Sequence, residues 1–200
     1  MEPLLKGVLM GITVSLMIGP IFLALADITI TKGRYSAFAY ILGIIFIDVI
    51  LIYVIESFFQ YLVIADSFKF YVGIIGGALL ILFGIATFFS KSEIKAIDVT
   101  SIKTLLGAFV KGITINIFNP FVIFWWITMY TTISINYTIV ANKLLFYFGI
   151  LFMVFLFDLI KMRFAYYFRT KLNAQSLSIF KRIVGVCLCI FGIAMILKVV

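Results

Sequence analysis

The stretch SLMIGPIFLAL occupies residues 15–25, and NIFNPFVIFWW occupies residues 116–126. Each is a long apolar run interrupted by proline. Proline removes one backbone donor and clashes with the carbonyl four residues back, so neither run can continue as one straight helix. Pro20 and Pro120 are expected to free carbonyls near Leu16 and Asn116. Gly19 and Asn119 precede the prolines, and both residue types tolerate unusual backbone angles. Freed backbone at membrane depth is tolerated only where it faces protein or a wet cavity. Two such breaks predict a cavity between them. Thr13, Ser15, Thr114 and Asn116 lie just upstream and are candidates to line it, with Gly19, Pro20, Asn119 and Pro120.

The composition makes lipid the relevant solvent. Of 200 residues, 65% are hydrophobic and 12% charged, and the mean hydropathy is +1.28. A soluble domain carries about a quarter charged residues. The net charge of +8 does not signal nucleic acid, because the basic residues sit between apolar runs and form no solvated patch. There are no histidines, and Cys187 and Cys189 are two apart, which on a helix points them to different faces. Zinc chemistry and Ser/His or Cys/His catalysis are thereby excluded, and no cofactor or metal is expected.

Six apolar segments, roughly 3–26, 35–59, 69–90, 105–131, 143–168 and 183–199, are each long enough to span a bilayer. Runs such as FGILFMVFLF at 148–157 do not alternate in polarity, so helices and not a barrel are predicted. Glu2 replaces the basic start of a secretory signal, so the first segment is expected to be a span. The expected fold is an all-α integral membrane protein of six transmembrane helices in one domain covering 1–200. Repeat one covers about 1–90, a cytoplasmic linker about 91–104 and repeat two about 105–200. Of the 16 Lys and Arg, Lys6, Lys69, Lys143 and Lys198 fall on one side and the rest on the other. The positive-inside rule then places both termini outside the cytoplasmic (inner) membrane.

The halves repeat. GITVSLMIGP at 11–20 matches GITINIFNP at 112–120 with one residue dropped, and LFGIA at 82–86 matches IFGIA at 190–194 in the same order. Three spans per repeat is an odd number, so the second copy enters from the opposite face. The reading is two inverted three-helix repeats, with helices 1 and 4 broken at Gly-Pro and Asn-Pro, as in many secondary transporters.

Two acids lie within spans. A charge at the bilayer centre costs roughly 2.5–3.5 kcal/mol on insertion scales, so such residues usually serve ions or protons. Asp48 lies 14 residues after Arg34 and Asp158 14 residues after Leu144, which suggests loosely that they are repeat equivalents. Asp158 has Lys161 three residues on and can form a simple ion pair. Asp48 has no such neighbour and is the better proton-coupling candidate. Glu56 is expected to be solvated at the outer end of span 2, and Asp27 to close span 1 near the cytoplasm. The GxxxG pairs Gly7/Gly11 and Gly73/Gly77 fit packing within the bundle or a homodimer contact. Trp125 and Trp126 fit an interfacial anchor or a cavity wall.

IGP in span 1, ITKGRYSAFAYILGIIFID leading into span 2, and INIFNPFVIFWW in span 4 resemble the lysine exporter (LysE/RhtB) family of amino-acid efflux proteins. The resemblance covers essentially the whole chain. It implies six spans and proton-driven export of amino acids or related small solutes. By match, Gly19 and Pro20 take the first break, Asp48 the span 2 acid, and Asn119 and Pro120 the second break. The chain departs from the family at Ile21 and Phe22, where many members are polar, at Phe46 and Ile47, where small residues are common, and at Asp158. An alternative cargo is a divalent cation, for which Asp48, Asp158, Asn119 and freed carbonyls are hard oxygen ligands.

Overall fold

The structure is a computed structural model that describes residues 2–17, 19–58, 66–89, 101–169 and 174–197. These form eight helices: α1 (Glu2–Ser15), α2 (Pro20–Lys32), α3 (Arg34–Phe58), α4 (Asp66–Phe88), α5 (Ile102–Ile117), α6 (Pro120–Asn136), α7 (Val140–Arg169) and α8 (Ala174–Leu197). Most of the linker expected at 91–104 lies outside the described residues.

Each proline starts a new helix. Pro20 opens α2 and Pro120 opens α6, where its missing N–H would have had no helical partner in any case. α1 and α2 bend by 71°, and α5 and α6 by 64°. α3 and α7 are long and apolar enough to cross a membrane, and each bent pair passes the same test taken together. α2 runs past Asp27 to Lys32, and only Gly33, at φ 84°, turns the chain into α3.

Lipid leaves helix association to close van der Waals contact, so interfaces favour small residues. Three helix pairs show this. α1 lies against α7: a Cβ at Gly7 would strike the Phe146 carbonyl, and one at Gly11 would lie 2.8 Å from the Ile150 carbonyl. Both numbers rise together, so the helices run parallel there. α3 crosses α5 where Gly43 meets the Phe109 carbonyl and Gly112 the Tyr40 carbonyl. α4 and α8 run antiparallel, Gly77 against Gly192 and Gly84 against Gly185. A Cβ added at Gly77 or Gly84 would lie 2.7 Å from the facing carbonyl oxygen. Gly7, Gly11 and Gly77 thus pack within the bundle.

α2 is the innermost helix, buried without interruption from Ala24 to Ile30. It joins α3 and α5 in one apolar cluster around Leu25, Ile28, Tyr40, Ile44 and Ile115. A second cluster joins α3, α6 and α7 around Ile55, Trp126, Ile133 and Ile150. The outward surface carries Leu5, Leu9, Tyr53, Leu82, Phe148, Phe164 and Ile190, all strongly exposed. An apolar exterior over a packed interior is the arrangement lipid requires. The chain is a multi-pass membrane protein.

Candidate functional site

Both breaks open on one cavity of about 430 Å³. Its wall combines the end of α1 (Val14, Ser15), the start of α2 (Pro20, Ile21, Phe22) and the midpoints of α3 (Ile44, Asp48) and α4 (Leu80). The break at Asn116 and Asn119, the first turns of α6 with Trp125 and Trp126, α7 with Val154, Asp158 and Lys161, and α8 with Phe191 and Ala194 complete it.

Asp48 is the centre of the polar wall. It is 4% exposed, and its Oδ1 accepts from Asn116 Nδ2 at 2.8 Å and from Trp126 Nε1 at 2.8 Å. Asn116, in the last turn of α5, also donates to the Ile44 carbonyl at 3.3 Å. The acid of one segment is thus gripped from both sides of the second break. Bonds to an ionised acceptor are about twice as strong as neutral ones, which makes this grip sensitive to protonation. Asn119 Oδ1 accepts from the Phe121 N–H at 3.1 Å and caps α6.

Asp158 pairs with Lys161 at 2.9 Å, and both line the cavity. Lys161 Nζ also lies 5.9 Å from the centre of the Phe22 ring, in the first turn of α2. Tyr40, fully buried, holds that same turn by donating to the Ile21 carbonyl at 3.2 Å.

The structure brings Ser15, Gly19, Pro20, Asp48, Asn116, Asn119 and Asp158 to this wall. Pro120 opens the adjoining helix. Thr13 and Thr114 stand apart: each hydroxyl donates to the carbonyl one turn back, Leu9 at 2.9 Å and Val110 at 2.8 Å. Trp125 and Trp126 are cavity walls, which a tandem aromatic pair just past a proline break could signal but not decide. Val154, Leu80, Phe191 and Ala194 carried no sequence signal, yet they form much of the apolar lining.

Two other acids differ from expectation. Glu56 is half-buried and not simply solvated: it accepts from Lys143 Nζ at 3.0 Å and Tyr147 OH at 2.8 Å. Asp27 is buried inside α2, 3.8 Å from Lys111 Nζ on α5. Among the described residues, no three His, Cys, Asp or Glu gather into a metal-binding group.

The family model for LysE type translocator matches residues 12–199. The chain belongs to that family. LysE type translocators are membrane exporters of small solutes, so the cavity and its buried acid lie in a transporter. The match spans both breaks, Asp48 and Asp158. No curated protein and no solved structure matches the chain.

Proposed function

We propose that the protein exports amino acids or related small solutes across the cytoplasmic membrane in exchange for protons, with the cavity between the two breaks as the cargo site and Asp48 as the proton carrier. The observation that carries this reading is Asp48 itself, buried on the cavity wall and held at 2.8 Å by donors on α5 and α6. Protonation would weaken both bonds and loosen α3 from the second break. Deprotonation would restore the grip. A cavity near 430 Å³ suits a single small solute.

The reading includes six spans: α1 with α2, α3, α4, α5 with α6, α7 and α8. It also makes the halves inverted repeats with both termini outside. The glycine contacts support this. Exchanging the halves maps α1 on α7 to α5 on α3, and maps Gly77 on Gly192 to Gly185 on Gly84. Gly11 and Gly112, matched in the repeated GIT, meet the Ile150 and Tyr40 carbonyls respectively. Counted from those contacts, Asp48 lies eight residues past Tyr40 and Asp158 eight residues past Ile150, so the two acids are counterparts. The proton role is given to Asp48 because Asp158 is already paired with Lys161 at 2.9 Å. Asp158, with Lys161, is assigned to the pathway wall.

A divalent-cation cargo is disfavoured, because Asp48 and Asp158 are few acids for such a site and Asp158 is already paired with Lys161. The functional test is efflux of a panel of radiolabelled amino acids from cells overexpressing the protein. Export of at least one, lost on de-energising the membrane, is expected. No export of any member would remove the cargo assignment.

A further inference from the structure

The hydroxyl of Ser15 is an exception among the hydroxyls of these helices. Thr13, Thr29, Thr114 and Thr128 each return a bond to the carbonyl four residues back, at 2.6–2.9 Å. Ser15 is 4% exposed, and its Oγ is buried with no hydrogen-bond partner. The indole Nε1 of Trp125 is buried without a partner too. Both residues line the cavity. Buried polar groups are rarely left unpaired, and an indole N–H can only donate. Whatever completes this wall must therefore offer acceptors.

The start of α2 points to the same chemistry. This helix has 13 residues, and Pro20, Ile21 and Phe22 of its first turn line the cavity. Its N-cap Gly19 lies in extended conformation and supplies no capping bond, whereas Asn119 caps α6. An uncapped helix start carries about half a positive charge and favours an anion. Opposite charge is already balanced nearby: Asp158 is paired with Lys161, and Asp48 is held by two donors.

We propose that Ser15 Oγ, Trp125 Nε1 and the uncapped start of α2, all on the cavity wall, form the subsite for a carboxylate of the cargo. This rests on the cavity being the cargo site, as proposed above. It adds which groups face each end of the cargo: Ser15, Trp125 and the α2 start take the anionic end and Asp48 faces the remainder.

The test is calorimetric binding to the purified full-length protein in detergent. The probes are L-leucine, L-lysine and L-threonine, the carboxamide of each, and butyrate. The variants are Ser15→Ala, Trp125→Phe and the conservative Ser15→Thr. The wild type is expected to hold at least one acid at least about tenfold more tightly than its amide, the worth of a hydrogen bond to a charged group. Ser15→Ala and Trp125→Phe should each weaken the acid by about tenfold and leave the amide unchanged, while Ser15→Thr retains acid binding. Ser15→Ala should fold at least as well as the wild type, since it removes an unpaired hydroxyl. Acid and amide held equally, or variants without effect on an acid that binds, would overturn the subsite while leaving the amino-acid cargo standing. Butyrate binding that depends on Ser15 and Trp125, with no amino acid bound, would keep the subsite and remove the amino-acid cargo. Binding of no carboxylate at all would overturn the subsite and leave water as the occupant of the wall.

Discussion

The two breaks are built alike and finished differently. Both end a helix, bend the chain by more than 60° and restart on proline. At the second, Asn119 caps α6, Asn116 donates to Asp48 and to Ile44, and Trp126 donates to Asp48, while Trp125 Nε1 is left open. At the first, Gly19 gives no cap and Ser15 Oγ is left unpaired. Polar groups in a membrane interior are expensive to leave unsatisfied. The difference teaches that two like breaks can be finished differently, the second gripping Asp48 with Asn116 and Trp126 and the first leaving its helix start uncapped.

The comparison can be broken at the acid–base pair beside it. Asp158→Asn or Lys161→Met alone should cost about 3–5 kcal/mol, because each leaves a buried charge uncompensated. The double neutral variant should recover most of that loss. Thermal unfolding in detergent reads both. A single variant as stable as the wild type would show that solvent, not the partner, already holds the charge.

Packing comes next. Gly84→Leu would drive a side chain into the Gly185 carbonyl and Cys189 and should cost about 1–3 kcal/mol or more. The same change at Gly107, where a Cβ would meet nothing within 4 Å, should be far milder. Equal melting temperatures for the two would contradict the α4–α8 contact.

A smaller effect sharpens the comparison itself. Asn119→Ala should cost about 1 kcal/mol by uncapping α6, and Gly19→Asn should return up to a similar amount by capping α2. There is room for it, since a Cβ at Gly19 meets nothing within 4 Å and its φ of −151° suits any residue. The stabilised Gly19→Asn variant should bind carboxylates less well. Stabilisation with unchanged binding would separate the α2 start from the cargo.

The smallest effect is expected away from the cavity. Thr13→Val and Thr114→Val should each change stability by no more than about 0.5 kcal/mol and leave transport intact. Their hydroxyls serve the preceding turn of their own helices.

What the sequence revealed depended on the range of the physics involved. Proline acts within one turn, so both breaks could be located from residues 20 and 120 alone. Asp48 stood out because a carboxylate in an apolar run is costly wherever it points. Its partners did not, since Asn116 and Trp126 lie 68 and 78 residues away along the chain. Equal depth suggested matching Asp48 to Asp158, and Gly11 against Ile150 beside Gly112 against Tyr40 gives the same offset along the chain. Glu56 looked solvated because Lys143 and Tyr147, its partners, belong to a helix far along the chain. In lipid, apolar residues face both inward and outward, so periodicity does not mark the buried face. Val154 and Phe191 therefore read no differently from their exposed neighbours.

The central claim is tested most directly by Asp48→Asn in proteoliposomes loaded with a transported amino acid under an imposed proton gradient. Asparagine keeps an acceptor oxygen for Asn116 and Trp126, so the fold should survive. Proton-driven movement of the amino acid is expected to vanish, together with the accompanying pH change inside the vesicles, while the wild type shows both. Undiminished proton-driven transport by the Asn variant would contradict the account.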